Sequence, residues 1–120
     1  MHGNKSTLLA TLQLPANWSN EYVRNAGERI LYYAGLNSIG FTSNLYDHHN
    51  PTHGGMTFVW FLSESHMILE TFREHALAEL EIVTCQGSLR KDWKNIIHLS
   101  GLDPLAITLL EKDGGHQWRA

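Results

Sequence analysis

Apolar and polar positions alternate from Thr7 to Leu14, with Leu8, Ala10, Leu12 and Leu14 on one side and Leu9, Thr11 and Gln13 on the other. A period of two predicts a strand, and Pro15, which has no amide donor, stops it. Asn17 or Ser19 then suits a helix N-cap. Tyr22, Ala26, Ile30 and Tyr33 recur at helical spacing over the following turns, and Gly35 suits the exit. Gly40 to Tyr46 reads as a second strand. Asp47 to Gly55 (DHHNPTHGG) breaks the pattern with a proline and two glycines and is the strongest loop signal in the chain. Strands follow at Met56–Ser63, His66–Phe72 and Leu77–Cys85, the last with Ala78, Leu80 and Ile82 facing inward and Glu79 and Glu81 outward. Ser88 suits the cap of a second helix striped by Leu89, Trp93, Ile96 and Ile97 and ended by Gly101. Leu105–Lys112 is the final strand.

The resulting order is β-α-β-β-β-β-α-β. Short links between the middle strands imply antiparallel hairpins. Two amphipathic helices on one face of that sheet give an α+β, two-layer sandwich. Trp60, Phe61 and Met67 are expected to make the other face apolar, which points to a homo-oligomer, a dimer or a trimer.

Length and composition narrow the picture. A chain of 120 residues, 42% of them hydrophobic, is expected to form one domain over 1–120 with its own core. The net charge of −3, with no basic arm, disfavours nucleic acid as a partner. The longest apolar run, Phe58 to Leu62, is too short for a membrane span, and no signal-peptide core follows the first residues. A single cysteine, Cys85, excludes a disulfide framework within the chain and a cysteine-rich zinc site, and a reducing, cytoplasmic setting is expected.

Eight histidines raise the question of chemistry. His48, His49 and His53 crowd one loop, but Pro51 breaks the helix that would align two of them on a metal, so no metal site is expected and a loop that helps close a site is the better reading. In Glu64-Ser65-His66, serine and histidine are neighbours on a strand and point to opposite faces, which argues against a triad and for a polar hairpin turn. Cys85 ends a strand where the chain turns toward solvent, as a functional thiol would. Glu70 shares a face with His66 and Ile68. It is either a solvated carboxylate or, in a closed pocket, a base.

Taken together, Glu64-Ser65-His66, Glu70-Thr71-Phe72-Arg73-Glu74 and Thr84-Cys85 resemble the bacterial and archaeal S-adenosylmethionine decarboxylases. That family carries Glu-Ser-His at a strand start, then His-Thr-Trp-Pro-Glu, then Phe-Thr-Cys-Gly at a strand end, with the same serine-to-cysteine spacing. The resemblance runs from the first strand to Lys112. It implies a two-layer sandwich that dimerises, with sites at or near the subunit interface. It also implies a self-made cofactor: the Ser65 hydroxyl attacks the Glu64 carbonyl, the resulting ester is eliminated, and a pyruvoyl group is left at position 65 as an electron sink for decarboxylation. By the same resemblance Cys85 returns a proton to the substrate, Glu74 binds the ribose hydroxyls, Phe72 stacks on adenine, and His66 belongs to the catalytic set. The substrate is S-adenosylmethionine, for polyamine synthesis, or another small amino acid.

The departures are specific. The family's processing histidine is Glu70 here. Its supporting serine is Thr57, which keeps the hydroxyl. Trp-Pro is Phe72-Arg73, and the glycine after the cysteine is Gln86. The loop before Met56 differs, and Tyr46 is the nearest candidate for the aromatic ligand contact. Two other readings follow from the loss of the histidine. One is an uncleaved enzyme that binds S-adenosylmethionine, such as a lyase in which Glu70 stabilises the sulfonium while the substrate's own carboxylate attacks. The other is an inactive partner subunit.

Overall fold

The computed structural model describes residues 5–85, 89–112 and 118–119. Seven strands form one antiparallel sheet: β1 (Lys5–Gln13), β2 (Ser38–Leu45), β3 (Met56–Leu62), β4 (Ser65–Phe72), β5 (Leu77–Thr84), β6 (Asp103–Lys112) and the short β7 (Trp118–Arg119). Their spatial order is β2-β3-β4-β5-β1-β6-β7, so β1 lies between β5 and β6. The α-helices among the described residues are α1 (Asn20–Ala34) and α2 (Trp93–Leu99).

Local chemistry explains each boundary. The Ser19 side chain accepts a hydrogen bond from the Tyr22 amide and caps α1, and Gly35 leaves it in the left-handed region at φ 71°. The second helix starts at Trp93 rather than near Ser88. Asp92 is its cap and accepts from the Asn95 amide. Ser88, expected as that cap, lies outside the described residues. Leu89 precedes the helix yet is buried in the core, so its apolar signal was real and its helical assignment was not.

Alternation along the strands separates two faces. Leu8, Ala10 and Leu12 of β1, Phe58, Trp60 and Leu62 of β3, Met67 and Leu69 of β4, and Ala78, Leu80 and Ile82 of β5 form one cluster. Val23, Ala26, Ile30, Leu31 and Ala34 of α1 and Trp93, Ile96 and Ile97 of α2 close over it. Burial of a side chain of this size contributes about 1.5–3 kcal/mol. The antiparallel sheet with two helices is thus the α+β sandwich that the element order implies. Two side-chain assignments differ. Trp60 and Met67 are fully buried in this core, and only Phe61 of the expected trio lies on the other face, 45% exposed. Tyr33 is exposed, and Val23, Leu31 and Ala34 complete the stripe on α1 instead. In the C-terminal segment, Trp118–Arg119 pairs with β6.

Candidate active site

The β3–β4 hairpin positions the first group of residues. Leu62 pairs with Ser65, so only Ser63 and Glu64 form the turn. Glu64 has φ 58°, a left-handed conformation that a residue with a side chain adopts at a cost. The peptide bond between Glu64 and Ser65 therefore leaves a strained residue and enters a strand. Across the β4–β5 ladder, the Cys85 amide donates to Ser65 Oγ at 3.2 Å. Ser65 is half-buried and Cys85 exposed. His66 points to the opposite face, as alternation requires, and its Nε2 lies 3.1 Å from Glu81 Oε1. Ser6 pairs in register with Thr84 beside this group, and its fully buried hydroxyl has no hydrogen-bond partner among the described residues.

The far ends of β3 and β4 position the second group. Thr57 pairs with Glu70 in register, and Thr57 Oγ1 donates to Glu70 Oε2 at 3.0 Å. The Tyr46 hydroxyl lies 2.8 Å from Thr57 Oγ1. Phe72 ends β4 and is partly exposed. Glu74 follows on the exposed 3-10 turn Arg73–His75. Arg73 reaches Asp47 at 3.3 Å and ties this turn to the loop after β2. An exposed pair of this kind contributes at most about 1 kcal/mol. His48, His49 and His53 are exposed on that loop. His53 is held by Thr52 Oγ1 at 2.9 Å and sets its ring edge-on to Trp18. Among the described residues no three His, Cys, Asp or Glu side chains are grouped to hold a metal ion.

Strand geometry keeps the two groups apart within one chain. Ser65 and Glu70 are five positions apart on β4, about 17 Å at roughly 3.3 Å per residue. They also differ in parity. Ser65 shares the side of Met67 and Leu69, and Glu70 shares the side of His66 and Ile68. The open face carries three carboxylates close together. Glu70 stands directly across from Glu79, and Glu81 is two positions further along β5. They border a depression lined also by Leu9, Thr11, Ile68 and Thr108. Its lining sets three glutamates among apolar and hydroxyl groups.

The structure thus joins Ser65 to Cys85 and Tyr46 to Thr57 and Glu70, leaves His66 beside Glu81, and separates these groups along β4. Two contacts went unread in the sequence. Glu81 as the partner of His66 needed the β4–β5 register, which alternation alone does not supply. Asp47 as the partner of Arg73 needed the path of a nine-residue loop.

The S-adenosylmethionine decarboxylase family model matches residues 17–99. No curated protein sequence matches the chain. Among solved structures, the adenosylmethionine decarboxylase of Aquifex aeolicus VF5 has the same fold, with a TM-score of 0.70 and 24% identity over 98% of this chain and 95% of that one.

Proposed function

Because the chain belongs to the S-adenosylmethionine decarboxylase family, we propose that it cleaves itself between Glu64 and Ser65 and decarboxylates S-adenosylmethionine through the pyruvoyl group so formed. One observation carries this reading: Ser65 directly follows a left-handed Glu64 in a two-residue turn, with the Cys85 amide on its hydroxyl. Ground-state strain at Glu64 is relieved when its peptide bond breaks. The Cys85 amide orients Ser65 Oγ and leaves the hydroxyl proton free to depart.

Ser65 Oγ attacks the Glu64 carbonyl carbon, the C–N bond breaks, and an ester and a free amine result. A base removes the Ser65 Cα proton, the Cβ–O bond breaks, and Glu64 leaves as a carboxylate. The dehydroalanine tautomerises to an imine, and water replaces its nitrogen, releasing ammonia. Glu70 is the base in this reading, with one carboxylate oxygen bonded by Thr57 and the other available. The pyruvoyl group supplies an electron sink for the carbanion left by carbon dioxide. Cys85 Sγ holds the proton that this carbon receives. Phe72 stacks on the adenine ring, and Glu74 accepts from the ribose hydroxyls.

A site that uses both Ser65 and Glu70 must draw them from different chains, because one β4 strand separates them by about 17 Å and by parity. We therefore read the working unit as a homodimer with two composite sites. Leu9, Phe61 and Ile68 add apolar area to the open face that carries Glu70. No helix among the described residues is long and apolar enough to cross a membrane.

Carbon dioxide release from carboxyl-labelled S-adenosylmethionine tests the activity. Wild type is expected to release label, S65A none, and C85A about 10²-fold less or lower still, the range for loss of a positioned proton donor. Release of methylthioadenosine without carbon dioxide would overturn decarboxylation. It would favour the uncleaved lyase reading, for which the Glu70–Glu79 pairing offers a negative surround for a sulfonium.

A further inference from the structure

We infer that Tyr46 is a positioning residue for Glu70, acting through its hydroxyl and Thr57, and not a surface for stacking ligand; this rests on the self-cleavage reading above. Proton counting sets the direction of the chain. An ionised carboxylate only accepts, and a threonine hydroxyl has one proton. Thr57 Oγ1 gives that proton to Glu70 Oε2 at 3.0 Å. In the 2.8 Å contact with Tyr46, Thr57 therefore accepts and the phenol donates. The order is Tyr46 to Thr57 to Glu70, with each oxygen polarising the next.

Glu70 needs such a fixture. The last torsion of a glutamate is broad and settles no single orientation of its two oxygens. Thr57 occupies Oε2 and leaves Oε1 as the oxygen that can take a proton. Thr57 itself has a free rotor, and the phenol holds it in the orientation that donates to Glu70. Backbone contacts hold Tyr46 in turn, because its amide donates to the Gly55 carbonyl at 2.9 Å, closing the loop onto β3. The ring packs near Gly55, while the hydroxyl is engaged with Thr57. A stacking role uses the ring, and a positioning role uses the hydroxyl. Tyr46→Phe separates them.

The test follows self-cleavage from synthesis in a cell-free reaction, by denaturing gel, for wild type, Y46F, T57V, T57S and Y46F/T57V. We expect Y46F to cleave about tenfold more slowly, the scale of one lost hydrogen bond. T57V is expected to be slower still, the double variant no slower than T57V, and T57S to restore what T57V loses. The thermal midpoint of Y46F should match wild type, which a merely structural contribution would not allow. Cleavage of Y46F at the wild-type rate, or effects of Y46F and T57V that multiply, would overturn the role of Tyr46 and leave the self-cleavage reading intact. Absence of cleavage in wild type would overturn that reading and this inference together.

Discussion

Glu70 and Glu79 face each other across β4 and β5 on the open side of the sheet. Like charges directly opposite in a ladder destabilise it by a few tenths to about 1 kcal/mol. Removing the charge that the proposed chemistry does not use should therefore stabilise the fold. Thermal or urea unfolding of E79Q at low ionic strength is expected to show a gain of about 0.5 kcal/mol that shrinks as salt is added. A loss of stability would mean that Glu79 has a favourable partner on this face. The residue scale is also where sequence reading went furthest. Ser65 and Cys85 were each singled out by their motifs, and the β4–β5 register brings the Cys85 amide onto Ser65 Oγ. Thr57 and Glu70 were singled out separately, and antiparallel pairing brings them into one hydrogen bond. The orientation of Tyr46 depends on how a nine-residue loop returns to β3, which no periodicity encodes.

Element boundaries were legible where a cap or an alternation marked them. Ser19, Gly35 and Pro15 each end an element as their chemistry requires. The second helix was misjudged because Leu89, Trp93, Ile96 and Ile97 all belong to the core, although Leu89 reaches it from outside the helix. Trp60 and Met67 were assigned to the wrong side because strands of nearly continuous apolar residues do not reveal which parity meets the helices. Gly27 of α1 shows what the correct parity demands. A Cβ there would overlap the Trp60 ring, which fills the space between α1 and β3. Gly27→Ala would raise intrinsic helix propensity by about 1 kcal/mol, yet the overpacking should dominate. Chemical denaturation of G27A is expected to show a net loss of about 1–2 kcal/mol. Equal or greater stability would mean that Trp60 can repack at no cost.

At the scale of the whole molecule, the separation of Ser65 from Glu70 turns a family resemblance into a statement about assembly. If one site takes Ser65 from one copy and Glu70 from another, two defective chains should complement each other. S65A retains Glu70, and E70Q retains Ser65. Each variant alone is expected to stay intact, and co-expression should yield cleaved E70Q chain and uncleaved S65A chain. Complementation in this direction would assign Glu70 to the partner copy, and its absence would require a rearrangement that brings both residues together in one chain. The same readout applied to wild type alone decides the central claim. Intact mass under denaturing conditions should give two species, residues 1–64 and residues 65–120 with a pyruvoyl group at the new N-terminus. A single species at 13.6 kDa would contradict the account.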